Sequence, residues 1–226
     1  MQQESKYNSK AKRAARINNI KIYELLNKRN KLNCNEKYVT LSSRQDNSKN
    51  SEINQIVEIE FLKKPQYVGI DNDKDLIREN NKNHPEATWI ADDWCCALQH
   101  IDFSGGLVYF DSTYFSNKSF AVSSLRTTLE FADYPETLVV GNFMLTNPYV
   151  GNGNNVFNPN VLIDSLFNDN PAKWRNWNQN FEYVPNYEYK TTKTLMRSYI
   201  FYNGVLTDDL VEEINSLTDN LAEEIN

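Results

Sequence analysis

Short apolar runs alternate along this chain with stretches in which apolar residues recur every third or fourth position. Five runs of the first kind predict strands: residues 38–41 (YVTL), 66–70 (QYVGI), 87–91 (ATWIA), 106–110 (GLVYF) and 137–143, all rich in β-branched and aromatic residues. Helical periods fill the gaps. Asn50 or Ser51 can cap a helix carrying Ile53, Ile56, Val57 and Phe61 on one face. Asp73 caps another through Leu76 and Ile77, which must stop near His84-Pro85 because proline has no N–H to continue it. Asp92-Asp93 precede a short helix over 94–101, and Phe120, Leu125, Leu129 and Ala132 mark the buried side of a helix ending at Tyr134-Pro135. The strand runs do not alternate apolar with polar, which is the pattern of strands buried on both faces. Five strand–helix units with short connections therefore predict an α/β fold, a doubly wound and mostly parallel sheet with helices on both sides.

The rhythm changes at both ends. Residues 9–32 predict a helix that is basic along its length and carries Ile17, Ile20, Tyr23 and Leu25 roughly on one side. Such a helix is either an arm that meets phosphates or a helix packed beside the first strand. Beyond residue 143 a Gly/Asn/Pro loop (152–160), a short helix (161–167) and a stretch rich in Trp and Asn lead to two strands at 181–189 and 197–202. Their short Thr/Lys connection requires an antiparallel pair. From residue 207 onward the chain predicts an acidic amphipathic helix with Leu210, Ile214, Leu217 and Leu221 on one side and no Lys or Arg. The expected organisation is a basic N-terminal helical arm (1–36), an α/β domain (37–206) and an acidic C-terminal helix (207–226).

Charge sharpens that division. The net charge is −6, yet residues 1–66 hold 14 Lys+Arg against 7 Asp+Glu and the remainder is correspondingly acidic. DNA or RNA is the expected partner of the basic arm, with Lys12, Arg13, Arg16 and Lys21 as phosphate-binding residues. A protein is the expected partner of the acidic helix if that helix does more than pack its leucines on the body. No apolar stretch of about 20 residues exists, so neither a transmembrane helix nor a membrane partner is expected. Residues 1–16 lack the apolar core of a secretory signal. Cys34, Cys95 and Cys96 are too few for a disulfide framework, and the adjacent pair reads as reduced thiols in a cytoplasmic protein. His84 and His100 stand in no metal-ligand spacing with them, so no metal site is expected. The 32 asparagines suggest an AT-rich coding sequence, as in many viruses and some bacteria; for a virus or phage the compartment would be the host cytoplasm.

The candidate chemistry sits at the ends of the predicted strands. Asp71 closes the second strand in Gly69-Ile70-Asp71-Asn72-Asp73, Asp92-Asp93 follow the third with Trp94 behind them, and Asp111-Ser112-Thr113-Tyr114 closes the fourth. The carboxyl ends of strands in an open α/β sheet face the ligand crevice, and a carboxylate there can accept two hydroxyl hydrogen bonds. Each of these aspartates could equally cap the helix that follows it.

Strand order and these positions together resemble, over residues 37–203, the class I S-adenosylmethionine-dependent methyltransferases. The resemblance implies a Rossmann-like, doubly wound, mostly parallel seven-stranded sheet with a C-terminal antiparallel hairpin, and S-adenosylmethionine as cofactor. It implies that Asp71 and Asn72 receive the ribose hydroxyls, that Asp92 and Asp93 lie near the adenine amine, and that Trp94 covers the adenine ring. Asp111-Ser112-Thr113-Tyr114 is similar to the Asp-Pro-Pro-Tyr signature of methyltransferases acting on amino groups of adenine or cytosine. By that likeness Asp111 accepts hydrogen bonds from the target amine and Tyr114 stacks on a base taken out of the helix. Ser112 and Thr113 replace the two prolines of the signature, and the plainer alternative is that Asp111 caps a turn while Tyr114 fills the sheet edge.

One departure stands out. The family's first loop is glycine-rich, whereas this chain has no glycine before Gly69. Residues 42–50 (SSRQDNSKN) occupy that place, and Ser42 and Ser43 are the expected cofactor contacts there. The same absence argues against a nicotinamide dehydrogenase and a P-loop nucleotidase. Two functions follow: a methyltransferase whose acceptor is an amine on a nucleic acid base, or a catalytically inactive methyltransferase-like scaffold or interaction subunit, as in a viral assembly. Trp174, Trp177, Tyr183, Tyr187 and Tyr189 read as core and hairpin packing, with a base platform as the alternative, and Asn147-Pro148-Tyr149 as a turn.

Overall fold

Seven strands form one sheet in the order β3-β2-β1-β4-β5-β7-β6. They are β1 (Lys37–Leu41), β2 (Tyr67–Asp71), β3 (Thr88–Ala91), β4 (Gly106–Ser112), β5 (Thr137–Met144), β6 (Arg175–Tyr183) and β7 (Thr194–Asn203). The helices are α1 (Lys10–Lys28), α2 (Lys74–Asn83), α3 (Trp94–Leu98), α4 (Lys118–Phe131) and α5 (Asp208–Asp219). This computed structural model describes residues 10–32, 37–41, 53, 66–103, 105–112, 118–144, 175–183 and 194–219. The expected helix over 51–61 falls outside them except for Ile53, which is helical and buried, and the expected helix at 161–167 falls outside entirely.

Strands β1 to β5 pair in parallel, and β7 runs antiparallel to both β5 and β6. Burial explains why their apolar runs are continuous. Along β1, Tyr38 joins Tyr67, Leu107, Tyr109, Leu138, Val140, Ile200 and Tyr202 in one core, while Val39 and Leu41 join Val68, Ile70, Val108, Val139, Tyr199 and Phe201 in the other. Successive residues point to opposite faces, and each face is covered. The first core contains Ile20, Tyr23 and Leu26 of α1 with Leu210 and Ile214 of α5; the second contains Ala97 and Leu98 of α3 with Leu125 and Leu129 of α4. An aromatic row crosses the first face: Trp89 meets Tyr67 at 5.5 Å between ring centroids, Tyr67 stacks on Tyr38 at 5.5 Å, and Tyr38 on Tyr109 at 6.5 Å.

Local signals act where they were expected. The Asp73 carboxylate accepts from the backbone N–H groups of Asp75 and Leu76, starting α2, which ends one residue before His84. Gly105 and Gly106 enter β4 with φ of 124° and 116°, a region where only glycine is at ease.

Three strand bounds are corrected. The sixth strand occupies Arg175–Tyr183 and so begins six residues before the expected 181, with Trp177 a strand residue opposite Ile200; residues 184–189 lie outside the described residues. It alternates apolar with polar residues (RNWNQNFEY), and its place is set by pairing with β7, which itself begins at Thr194 rather than at 197. The fourth strand also runs on past Phe110: Asp111 pairs with Asn142 and Ser112 with Phe143, because β5 is long enough to supply partners. The segment expected as a basic arm holds α1, which packs against β6 and α5 with Ile20, Ile22, Tyr23 and Leu26 buried in the first core, Leu25 half-buried and Ile17 exposed.

Candidate active site

The carboxyl ends of β1, β2, β3 and β4 lie side by side, so residues distant in sequence meet along one edge. Asp71 is the last residue of β2, opposite Ala91 at the end of β3, and its carbonyl accepts from the Asp92 N–H at 3.1 Å. That bond brings Asp92 beside Asp71 across the edge. The Asp71 carboxylate, half-buried, accepts from the Asp73 N–H at 3.0 Å, which fixes its rotamer at the turn into α2. Asn72 is exposed in that turn.

The pair after β3 divides its labour. The Asp93 carboxylate caps α3, accepting from the Cys95 N–H at 2.9 Å. The Asp92 carboxylate is exposed and accepts from the Asp93 N–H at 2.8 Å. Asp93 is therefore held by the helix it starts, and Asp92 presents its carboxylate to solvent at the crevice edge. Trp94, the first residue of α3, is half-buried and packs against the second core. Cys95 behind it has its thiol pushed up to about 11, first by burial and then by the Asp93 carboxylate, so it is a protonated thiol at neutral pH.

Asp111 and Ser112 are the last two residues of β4, adjacent to β1 on one side and β5 on the other. Their side chains lie outside the described residues, as do Thr113 and Tyr114 and the loop with Ser42 and Ser43. Leu41, the residue before that loop, ends β1 between Ile70 and Phe110. The four strand ends thus lie side by side, and the acidic residues that the structure links across them, by a backbone hydrogen bond, are Asp71 and Asp92. Lys12, Arg13 and Arg16 lie in α1 with side chains outside the description, and Lys21 of α1 is exposed. The α1 cation that the structure singles out is Arg29, just past its end, which pairs with Glu213 of α5. In the sequence it is one of many cations, and only the adjacency of the two helices distinguishes it.

Among the described residues, no group of three or more His, Cys, Asp or Glu side chains is placed to hold a metal ion, and no helix is long and apolar enough to cross a membrane.

No family model and no curated protein sequence matches the chain. Solved structures do. The plantazolicin methyltransferase BamL, in complex with a triazolic desmethylPZN analog and SAH, is similar at a TM-score of 0.56 with 11% identity, over 86% of this chain and 86% of that one. A candidate RNA methyltransferase from Pyrococcus horikoshii is similar at a TM-score of 0.51 with 11% identity, over 83% of this chain and 84% of that one. At such identities the likeness is one of fold. The sheet order, the reversed seventh strand and these neighbours together give the chain a class I methyltransferase-like, Rossmann-like fold.

Proposed function

We propose that the protein is an S-adenosylmethionine-dependent methyltransferase whose acceptor is an amine on a nucleic acid base. The observation that carries this reading is the half-buried Asp71 carboxylate at the crevice edge of the sheet, beside Asp92 across the β2–β3 junction. The donor set suits a nucleoside: Asp71 and Asn72 are placed to accept from and donate to ribose hydroxyls, and the exposed Asp92 is placed to accept from an adenine amine. Trp94 supplies an aromatic wall already braced by the second core.

Asp71, Asn72, Asp92 and Trp94 would hold the cofactor, which would supply an electrophilic methyl group for the acceptor nitrogen, and the proton that this nitrogen gives up would pass to water. The chain's part is to position the two reactants and exclude water between them. Asp111, at the end of the strand next to β1, is assigned to accept from the amine N–H and aim its lone pair, with Tyr114 stacking on the base. No strong base is required when the nucleophile is a neutral amine. The cations of α1 supply sequence-independent attraction to phosphates, which makes acceptor binding weaken as salt rises.

Calorimetric titration with S-adenosylmethionine and S-adenosylhomocysteine, on the natural protein and on Asp71→Ala, tests this reading. Micromolar binding that is lost in the variant is the expected result; no heat at millimolar ligand overturns it. The second reading, a scaffold without chemistry, is favoured by one specific feature, the lack of any glycine before Gly69. It is the reading that remains if no heat is found.

A further inference from the structure

We propose that the acidic helix α5, packed against the basic helix α1, is an internal competitor for nucleic acid phosphates, with its Glu213 carboxylate occupying Arg29 at the end of α1. The proposal rests on the polyanion partner of the preceding section and does not require that methyl transfer occur.

The two helices lie against one another and share one core, in which Leu26 and Leu32 from the N-terminal segment meet Leu206, Leu210 and Ile214. The carboxylates of α5 are consequently held close to the end of α1. Within α5, Asp208, Asp209, Glu212, Glu213 and Asp219 are unaccompanied by any Lys or Arg. Asp208, Asp209 and Glu212 are exposed, as are Lys21, Lys28 and Arg29 on the α1 side. Where the two helices meet, opposite charges come into contact: the Arg29 guanidinium donates to the Glu213 carboxylate, 184 positions away in the chain.

A carboxylate on a guanidinium takes an N–H donor that a phosphate oxygen would also use, so Glu213 competes with a phosphate for Arg29. The contact is easily exchanged. Both side chains are nearly half exposed, at 46% and 42%, and an ion pair at that exposure contributes little. A phosphate competing for Arg29 gains the release of condensed counterions, which a single carboxylate lacks. The arrangement discriminates: isolated anions are turned away by α5, while a dense run of phosphates displaces its side chains from Arg29 and gains the exposed Lys28 next to it in the chain.

The test uses the full chain and a fluorescently labelled single-stranded oligoribonucleotide, with anisotropy read at low and at near-physiological salt. Glu213→Gln is expected to bind at least threefold more tightly at low salt, with the gain shrinking as salt screens both charges. Arg29→Ala combined with Glu213→Gln is expected to erase the gain, because Arg29 is the group set free. Glu130→Gln, which removes an exposed carboxylate from α4 on the other side of the sheet, controls for net charge and is expected to leave affinity unchanged. Thermal melts confirm that each variant folds. An unchanged or weaker affinity in Glu213→Gln, an equal gain in Glu130→Gln, or no binding by any variant overturns the proposal. A gain in Glu213→Gln together with no heat on cofactor titration overturns the methyltransferase reading and leaves this one standing.

Discussion

The Tyr202 phenol lies directly over Gly204, so that a Cβ built on Gly204 would stand 2.4 Å from the hydroxyl oxygen and 2.5 Å from Cζ. The ring cannot withdraw. Tyr202 is fully buried in the first core, and its hydroxyl donates at 2.7 Å to the carbonyl of Lys31, tying the last strand to the segment after α1. Gly204→Ala must therefore displace a buried aromatic ring or the chain leaving β7. Overpacking of this kind costs about 1–3 kcal/mol, and urea unfolding should show a lower midpoint with an unchanged slope. A midpoint equal to that of the natural protein would show that the β7–α5 turn moves freely.

Tyr202→Phe removes the hydroxyl and leaves the Lys31 carbonyl without that donor. The loss should be about 1 kcal/mol, the usual net worth of one hydrogen bond. The same hydroxyl resists ionisation. Burial, and then the nearby Glu136 carboxylate, push its pKa well above the ordinary 10.0. The sign is that of a raised acid: the folded state holds its proton longer than the unfolded state, so stability falls as pH climbs above about 10. Comparing natural protein with Tyr202→Phe by phenolate absorbance should show the variant losing no tyrosine that titrates before alkaline unfolding.

Asp93 and Asp92 are neighbours whose substitution should be felt in different assays. Asp93→Ala removes the cap of α3 and should cost about 1 kcal/mol in thermal or denaturant unfolding. Asp92→Asn leaves that cap intact and should weaken S-adenosylmethionine binding while the melting temperature stays put. Asp73→Ala is the matching control at α2, where two N–H groups lose their acceptor and stability alone should fall.

Cys95 and Cys96 should separate by reactivity. The Cys95 thiol is half-buried and pushed up to about 11, whereas Cys96 is exposed. Iodoacetamide at pH 8 should alkylate Cys96 first, which fragment-ion mapping of the shared peptide resolves. As a raised acid, Cys95 lowers stability as pH rises from its ordinary 9.0 toward about 11, since the unfolded chain gives up that proton first. Equal labelling of both cysteines at pH 8 would contradict the burial of Cys95.

The sequence by itself determined strands β1 to β5 and the helices α2, α3 and α4 between them, because strands inside a covered parallel sheet leave short continuous apolar runs bounded by caps and turns; the helix expected between β1 and β2 lies outside the described residues apart from Ile53. It also determined the start of α2 at Asp73 and of α3 after Asp93, since a cap is a contact between residues two or three apart. The resemblance it carried led to a mostly parallel seven-stranded sheet with an antiparallel pair at its C-terminal end and to Asp71 at the end of β2. Tertiary structure decided what depends on a distant partner. The β6 segment RNWNQNFEY is too polar to announce a strand, and β7 fixes its place by pairing Trp177 with Ile200 and Tyr183 with Thr194. The extension of β4 through Asp111 and Ser112 was likewise decided by Asn142 and Phe143 of β5. The aspartates after β3 look alike in sequence, and only the helix geometry assigns Asp93 to a cap and leaves Asp92 at the edge. Arg29 and Glu213, near opposite ends of the chain, meet because their helices bury leucines in one core, a long-range encounter that no local pattern encodes.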